Sequence, residues 1–312
     1  MASLRVGTRG SRLALRQAEL VGAGLRAAGE AAAVETVVIE TLGDRVTGTP
    51  LARIGDKGLF TRELETALRD GRIDAAVHSL KDLPTEDPPG LRIAAVLERE
   101  DPREALVSRD GRRLADLPAG ARVGTCSLRR RAQLAALRRD LSIVDLRGNV
   151  PTRIGRVESG DLDAAILARA GIVRLGLDDR ISEILDAEKI LPAPGQGAIA
   201  VQCRDDATAA RFAALDHRPT RLATAAERAF LAALDGGCQT PIAALATFDG
   251  SRLAISGLVS DLEGREALRD DDSDSVADEE AARRLGERLA RRLLERGAAR
   301  LVAEARAALG AA

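Results

Sequence analysis

Asp74-Ala-Ala-Val-His-Ser-Leu-Lys-Asp82 is the most informative segment of this chain for its fold. Its first part is a short apolar run, which predicts a buried strand over Asp74–His78. Its second part is polar, so side chains capable of chemistry begin where that strand ends. A buried strand of this kind belongs to a sheet covered by helices, and the flanking segments show how that sheet is built.

The segments before this strand alternate between strand and helix patterns. Ser11 stands at the expected N-cap of the first helix, directly after a β-rich run. The predicted elements are a strand at Leu4–Thr8, a helix to about Ala28, a strand at Val34–Thr41 and a helix at Phe60–Asp70. This β-α-β-α-β order predicts a mainly parallel sheet covered on both faces.

The same alternation restarts beyond a Pro-containing segment, Glu100–Arg103. It predicts a second α/β unit from a strand at Arg122–Gly124, a helix at Ser127–Arg139, a strand at Ser142–Leu146, a helix at Thr152–Ser159 and a strand at Asp163–Ala168. The later strand Ala198–Cys203 has no α/β unit of its own, so it could rejoin the first sheet. The chain would then cross twice between two lobes, with a hinge and a cleft that the carboxyl ends of the strands face.

The carboxyl-terminal part has a different character. It begins with a helix from about Thr220 to Leu234 and continues with strands at Ala243–Phe248 and Arg252–Val259 and helices at Ala277–Arg296 and Ala298–Leu309. The acidic stretch Asp270–Asp274 is interpreted as a solvated turn. We therefore predict domain 1 at residues 1–99 plus 197–217, domain 2 at 103–193 and an α+β domain 3 at 220–312.

Composition excludes several classes of function. The net charge of −1 gives no basic field for nucleic acid, and an aromatic content of 1% disfavours base stacking. The first residues lack an apolar run of signal-peptide length, and three cysteines make no disulfide framework, so we expect a cytoplasmic protein without membrane contact. The two histidines, His78 and His217, lie far apart in sequence, so we expect no metal site.

Polar residues follow four of the predicted strands. Glycines and hydroxyls at helix starts leave backbone N–H groups available to an anion, and arginines there make sense for a polyanionic ligand. The clustered residues are Arg9, Ser11, Ser79, Lys81, Asp82, Thr125, Ser127, Arg129, Arg130 and Arg147.

Asp82 is the one acidic residue in these loops, and cations surround it in sequence. It should stay ionised and would suit a cationic centre on a substrate or one formed during reaction. The alternative is an internal salt bridge with Lys81 or a neighbouring arginine.

Two cysteines are candidate nucleophiles. Cys126 precedes Arg129 and Arg130 at a helix N-terminus, which should depress its pKa, whereas Cys238 lies in a glycine-rich loop. Local electrostatics alone favours Cys126. Cys203 is expected in the core, and His78 is interpreted as structural.

The ordered set of motifs resembles the porphobilinogen deaminase family and covers nearly the whole chain. The matching motifs are Gly7-Thr-Arg-Gly-Ser11, Asp56-Lys-Gly-Leu-Phe60, Ala76-Val-His-Ser-Leu-Lys-Asp82, Glu98-Arg-Glu-Asp-Pro-Arg103, Gly124-Thr-Cys-Ser-Leu-Arg-Arg130, Leu146-Arg-Gly-Asn149 with Thr152-Arg153, Pro194-Gly-Gln-Gly197 and Gly236-Gly-Cys-Gln239.

The resemblance implies a fold and an activity. The fold would be two α/β domains like the lobes of type II periplasmic anion-binding proteins, plus a smaller α+β domain. The activity would be a transferase reaction that joins four porphobilinogens into hydroxymethylbilane and releases ammonia at each step, for tetrapyrrole biosynthesis. A dipyrromethane cofactor would be held by a thioether to Cys238, not Cys126, and we expect a monomer.

The resemblance also implies roles for individual residues. Asp82 would be catalytic, and the segment Val46–Gly58 would be a mobile lid. Cofactor contacts would come from Cys238, Asp82, Lys81, Ser79, Thr125, Ser127, Arg129, Arg130 and Arg147, and substrate contacts from Arg9, Ser11, Arg147, Arg153, Arg174 and Lys57. The alternatives are a non-catalytic anion-binding protein of the periplasmic type and the effector domain of a regulator.

Overall fold

The fold is taken from a computed structural model, which describes residues 3–45, 60–236 and 240–310. The chain separates into two compact units. The first contains Met1–Glu100 and Ala198–Arg221, and the second contains Asp101–Gly197 and Leu222–Ala312. The three domain limits predicted from sequence stay predictions.

The described residues form strands and helices in the following chain order. The strands are β1 (Leu4–Thr8), β2 (Val34–Val38), β3 (Ala75–Ser79), β4 (Leu91–Val96), β5 (Glu104–Ser108), β6 (Arg122–Gly124), β7 (Ser142–Val144), β8 (Ala164–Ala168), β9 (Glu183–Leu185), β10 (Ile199–Arg204), β11 (Ile242–Phe248), β12 (Arg252–Ser260) and β13 (Ala267–Ser275). The α-helices are α1 (Arg12–Ala27), α2 (Leu42–Arg45), α3 (Arg62–Arg69), α4 (Leu128–Leu137), α5 (Val150–Glu158), α6 (Arg169–Arg174), α7 (Arg218–Ala233), α8 (Glu279–Glu295) and α9 (Ala298–Gly310).

The first unit is built on a five-stranded sheet in the order β2-β1-β3-β10-β4. Strand β1 runs parallel to β2 and β3, whereas β10 is antiparallel to β3 and β4. The strand after residue 197 thus rejoins the first sheet, as the sequence indicated. Helix α1 covers one face with Val21 and Leu25, and α3 covers the other with Leu64 and Leu68, all four side chains being fully buried.

The second unit contains a similar five-stranded sheet in the order β7-β6-β8-β5-β9. Strand β6 is parallel to β7 and β8, and β5 is antiparallel to β8 and β9. Leu134 of α4 packs on one face and Ile154 of α5 on the other. Strands β4, β5 and β9 are not predicted from the sequence, because no helix pattern alternates with them.

The second unit also holds the three-stranded antiparallel sheet β11-β12-β13. Phe230 of α7, Leu289 of α8 and Leu301 of α9 share one buried core with its strands. The interpretation of Asp270–Asp274 as a solvated turn was wrong, since this stretch lies within β13. A strand can carry these carboxylates because three arginines pair with them. They are Arg288 and Arg292 of α8 and Arg296, the residue that follows this helix.

Candidate functional site

The start of α1 is held by two short polar side chains. Ser11 caps the helix by accepting a hydrogen bond from Ala14 N at 3.2 Å. Thr8, at the end of β1, donates to Ala14 O at 3.0 Å. The strand and the helix are thus locked together at the turn that carries Arg9.

Arg9 is paired within the first unit. Its guanidinium reaches Asp44 with an Nη2···Oδ1 distance of 2.5 Å and lies 4.1 Å from the centroid of the Phe60 ring. Burial raises the pKa of Asp44, but hydrogen bonds from Arg9 and Thr41 and the charge of Arg9 outweigh it, so the pKa is lowered. No local sequence pattern points to Asp44, because the partners lie 35 residues apart.

The end of β3 presents Ser79 and Asp82. Gln17 of α1 donates to Ser79 Oγ at 2.9 Å, and Leu80–Asp82 forms a 3₁₀ turn anchored by Leu80 N on Ala198 O. The Asp82 side chain is exposed, and within residues 3–45, 60–236 and 240–310 it forms no ion pair or hydrogen bond. The alternative of a salt bridge to Lys81 or an arginine is therefore not found in the described chain.

A pocket in the first unit brings several of the predicted residues together. Arg9, Ser11, Ser79 and Asp82 all line it, with Phe60 among the other lining residues. Among the described residues of its lining, Arg9 is the one cation and Asp82 the one carboxylate. Since Asp44 neutralises Arg9, the charge left over in this pocket is the negative charge of Asp82.

Two hydroxyl residues shape the start of α4 in the second unit. Ser127 is the N-cap residue and accepts from Arg130 N at 3.5 Å. Thr125 is buried and accepts from Ser127 N at 3.2 Å. The predicted anion-binding loop therefore has its hydroxyl groups at the helix start, as the N-cap pattern indicated.

Arg129 and Arg130 point into the interior of the second unit. Their Nη2 atoms bind the two carboxylate oxygens of Glu104, at 2.6 Å and 2.7 Å, and Arg130 Nη1 also donates to Ile166 O at 3.1 Å. Glu104 is fully buried, and both arginines are nine-tenths buried or more. Glu104 was not among the predicted site residues, because it starts β5, a strand that the sequence pattern does not predict.

The expected low pKa of Cys126 was wrong. Burial and the charge of Asp145 raise the pKa of this thiol, and Arg153 and Arg147 oppose them incompletely. Its Sγ donates to Leu146 O at 2.9 Å. The prediction failed because Arg129 and Arg130 turn toward Glu104 instead.

Two further arginines of the second unit bind backbone carbonyls. Arg153 Nε donates to Gly148 O at 2.7 Å, which fixes the turn after Arg147. Arg174 Nη2 donates to Gly197 O at 2.5 Å. Both side chains thus hold the loops in which the family motifs lie.

Cys238, Lys57 and the segment Val46–Gly58 lie outside the described residues. Cys203 is fully buried, as expected for a core residue, and burial raises its pKa to about 11. In the described part of the chain, no group of three His, Cys, Asp or Glu residues could hold a metal ion. No helix there is long and apolar enough to span a membrane.

The fold and these loops define an α/β protein with two regions built on five-stranded sheets and an additional α+β region. Its residues 4–211 match the family model described as "Porphobilinogen deaminase, dipyromethane cofactor binding domain", and residues 221–295 match the model of the C-terminal domain of the same enzymes. The chain belongs to the porphobilinogen deaminase family.

Curated relatives agree over nearly the whole chain. The porphobilinogen deaminase of Syntrophomonas wolfei is 52% identical over 91% of this chain and 94% of its own. That of Moorella thermoacetica is 52% identical over 91% of both chains. A solved structure, that of the methionine binding protein MetQ, is 15% identical with a TM-score of 0.43, over 68% of this chain and 88% of its own.

Family membership establishes the activity and the cofactor. The chain is a transferase, a hydroxymethylbilane synthase, of tetrapyrrole biosynthesis, and its cofactor is dipyrromethane. The matches give no support to the alternative of a non-catalytic binding protein.

Proposed function

We propose that Asp82 carries the chemistry by which this chain joins four porphobilinogen molecules head to tail. The observation that supports this role is the exposed Asp82 carboxylate, which lines a pocket where Asp44 already neutralises Arg9. Loss of ammonia leaves a cation on the substrate. A fixed carboxylate that is not engaged elsewhere stabilises such a cation as it forms.

The donor set fits a dipyrromethane cofactor, whose acetate and propionate groups make it a polycarboxylate. We propose that Thr125, Ser127 and Arg147 bind these carboxylates, and that Ser79 and Lys81 are also cofactor contacts. We propose that Arg129 and Arg130, whose guanidinium groups both bind the Glu104 carboxylate, are cofactor contacts as well. When bound, the cofactor supplies the nucleophilic pyrrole carbon that primes the chain.

Substrate carboxylates need cations as well. We propose that Arg9 and Ser11 bind one porphobilinogen carboxylate, and that Arg147, Arg153, Arg174 and Lys57 bind those of the growing chain. Paired arginine N–H groups match a carboxylate in geometry and charge. In the described structure Arg9 keeps its Nε and Nη2 on Asp44, so a substrate carboxylate would compete with Asp44 for this guanidinium.

We propose Cys238 as the thioether attachment site. Neither described cysteine is a good candidate, because the pKa of Cys126 is raised and Cys203 is buried with a pKa of about 11. The intact mass of the purified protein tests the assignment. Wild-type protein should exceed its sequence mass by one dipyrromethane, and Cys238→Ser should lose this increment while the matched control Cys126→Ser keeps it. A retained increment in Cys238→Ser would contradict the attachment site.

The location, oligomeric state and binding partners of the enzyme are also proposals. We propose a cytoplasmic monomer that binds neither nucleic acid nor a membrane. The net charge of −1 supports the absence of nucleic-acid binding. The free thiols of Cys126 and Cys203 support a cytoplasmic location. Large apolar side chains that are exposed in the described chain are few: Val38, Leu42, Leu137 and Ile184.

A further inference from the structure

Helix α7 ends shortly before the proposed attachment site Cys238, and its end has a defined hydrogen-bond pattern. Asp235 N donates to Ala232 O at 2.8 Å, and Gly236 N donates to Leu231 O at 2.9 Å. These two bonds form the Schellman motif that commonly closes a helix. In this motif the residue at the position of Asp235 has a left-handed backbone.

Glycine, not aspartate, is the residue that local conformation favours at this position. The φ angle of Asp235 is 52°, and every other described residue with a positive φ is a glycine. A residue with a Cβ atom is strained in this conformation. A carboxylate at the C-terminus of a helix also lies at the negative end of the helix dipole. The reason for an aspartate here therefore lies outside the turn itself.

Arg306 of α9 provides the interaction that the turn lacks. Its Nη1 atom lies 2.5 Å from Asp235 Oδ2, and within the described chain this is the one ion pair that either side chain forms. Helix α9 is anchored by the buried side chains of Leu301, Val302 and Ala305. The arginine thus extends from a fixed helix and holds the Asp235 side chain in place.

The chain is also fixed on both sides of the residues that include Cys238. A Cβ atom on Gly236 would lie 2.5 Å from Leu231 Cδ1 and 2.6 Å from Ile242 Cδ1, so the backbone is pressed between α7 and the start of β11. Thr240 is buried. The three residues between Gly236 and Thr240 reach at most about 11 Å, so the direction in which the chain leaves α7 limits the positions open to Cys238.

We propose that Asp235 and Arg306 are a positioning pair for the cofactor, which hold the left-handed turn and so set the direction of the chain toward Cys238. The inference rests on the proposed attachment of dipyrromethane to Cys238. The Asp235 side chain is 87% exposed, so the pair adds little to the stability of the fold. Its effect is on the placement of the cofactor, and therefore on kcat. The KM for porphobilinogen should stay unchanged, because neither residue is a proposed substrate contact.

Steady-state kinetics of the cofactor-loaded enzyme tests the pair, with loading checked by intact mass. Asp235→Asn and Arg306→Gln should each lower kcat about three- to fivefold, near the most that an exposed ion pair contributes, and leave KM unchanged. The double variant should lose no more than either single variant, and Arg306→Lys should keep the wild-type kcat. The matched control is Arg300→Gln, which removes an exposed pair with Glu304 from the same helix and should also keep the wild-type kcat.

Asp235→Gly separates positioning from stability. Glycine suits the left-handed turn, so the thermal midpoint should not fall, yet kcat should fall as it does in Asp235→Asn. A merely structural role would leave kcat at the wild-type value. Wild-type kcat in Asp235→Gly, or equal kcat in Arg306→Gln and Arg300→Gln, would overturn the positioning pair. The proposed function fails by a different result, a dipyrromethane mass increment retained in Cys238→Ser.

Discussion

Asp82 and Arg9 line the same pocket, but their charges have different surroundings. Arg9 is fixed by Asp44 and lies on the Phe60 ring, whereas Asp82 makes no ion pair among the described residues. A preorganised charge that is not already engaged can respond fully to a cation formed during reaction. This contrast separates the proposed role of Asp82 in catalysis from that of Arg9 in binding.

Replacing Asp82 by asparagine should remove that charge and leave the shape of the pocket. We expect kcat to fall at least about 100-fold, as when other preorganised electrostatic groups are removed. The unfolding free energy should change by less than about 0.5 kcal/mol, because the side chain is exposed. Turnover and urea unfolding measure the two effects, with Asp205→Asn, an exposed aspartate of the same unit, as the control. Near-normal turnover of Asp82→Asn would contradict the role.

At the scale of elements, strand β5 and helix α4 are joined by a buried ion cluster. Glu104 binds Arg129 and Arg130 at once, so two cations share one carboxylate in the interior. Burial of charge is tolerated when partners and hydrogen bonds compensate for lost hydration. The cluster fixes the helix start whose hydroxyl groups, on Thr125 and Ser127, are proposed to bind the cofactor.

Glu104→Gln should therefore destabilise the protein strongly. Two buried arginines would lose the carboxylate that they share, and breaking a buried pair in this way costs about 3–5 kcal/mol. Glu158→Gln is the matched control, because Glu158 forms an exposed pair with Arg180 and its loss should cost at most about 1 kcal/mol. Urea unfolding of both variants provides the measurement. Equal losses of unfolding free energy in the two variants would show that the buried cluster contributes no more to stability than the exposed ion pair.

Helices α7 and α8 approach closely at Gly286. A Cβ atom there would lie 2.0 Å from Ala226 O and 3.0 Å from Phe230 N. Gly286→Ala should force the helices apart and cost about 1–3 kcal/mol. Gly155→Ala, in α5, has no atom within 4 Å of the added Cβ and should stabilise by about 0.5–1 kcal/mol. Thermal unfolding should thus shift the two variants in opposite directions.

At the scale of the whole molecule, stability should fall in acid in two stages. The pKa of His78 is lowered from its usual 6.5 to about 4, so the unfolded chain binds a proton there more readily than the native protein. Stability is then lost as pH falls from 6.5 toward 4. The pKa values of Asp44, Asp74 and Asp101 are also lowered, because their arginine partners and hydrogen bonds outweigh burial, and their contribution is lost at still lower pH.

The first stage can be assigned by substitution. Wild-type protein should lose about 2 kcal/mol of stability between pH 7 and pH 5 through His78. His78→Gln cannot take up that proton, so its unfolding free energy should depend less on pH over this interval. Urea unfolding at the two pH values gives the comparison. An unchanged difference in His78→Gln would show that another group is responsible.

Features that depend on neighbours along the chain were predictable from the amino-acid sequence. Helix α1 with its Ser11 cap and the strands β1, β3 and β8 follow from local periodicity and capping chemistry. The return of β10 to the first sheet followed from the lack of an α/β unit around it. The motif order identified the family, although local electrostatics pointed to Cys126 rather than Cys238.

Which charged side chains meet depends on the assembled fold. Asp44 lies 35 residues from Arg9, and Glu104 lies 25 and 26 residues from Arg129 and Arg130, so no local pattern connects them. The energy of an ion pair depends on distance and burial in space, and the sequence specifies neither. For the same reason, the raised pKa of Cys126 follows only from the assembled strands.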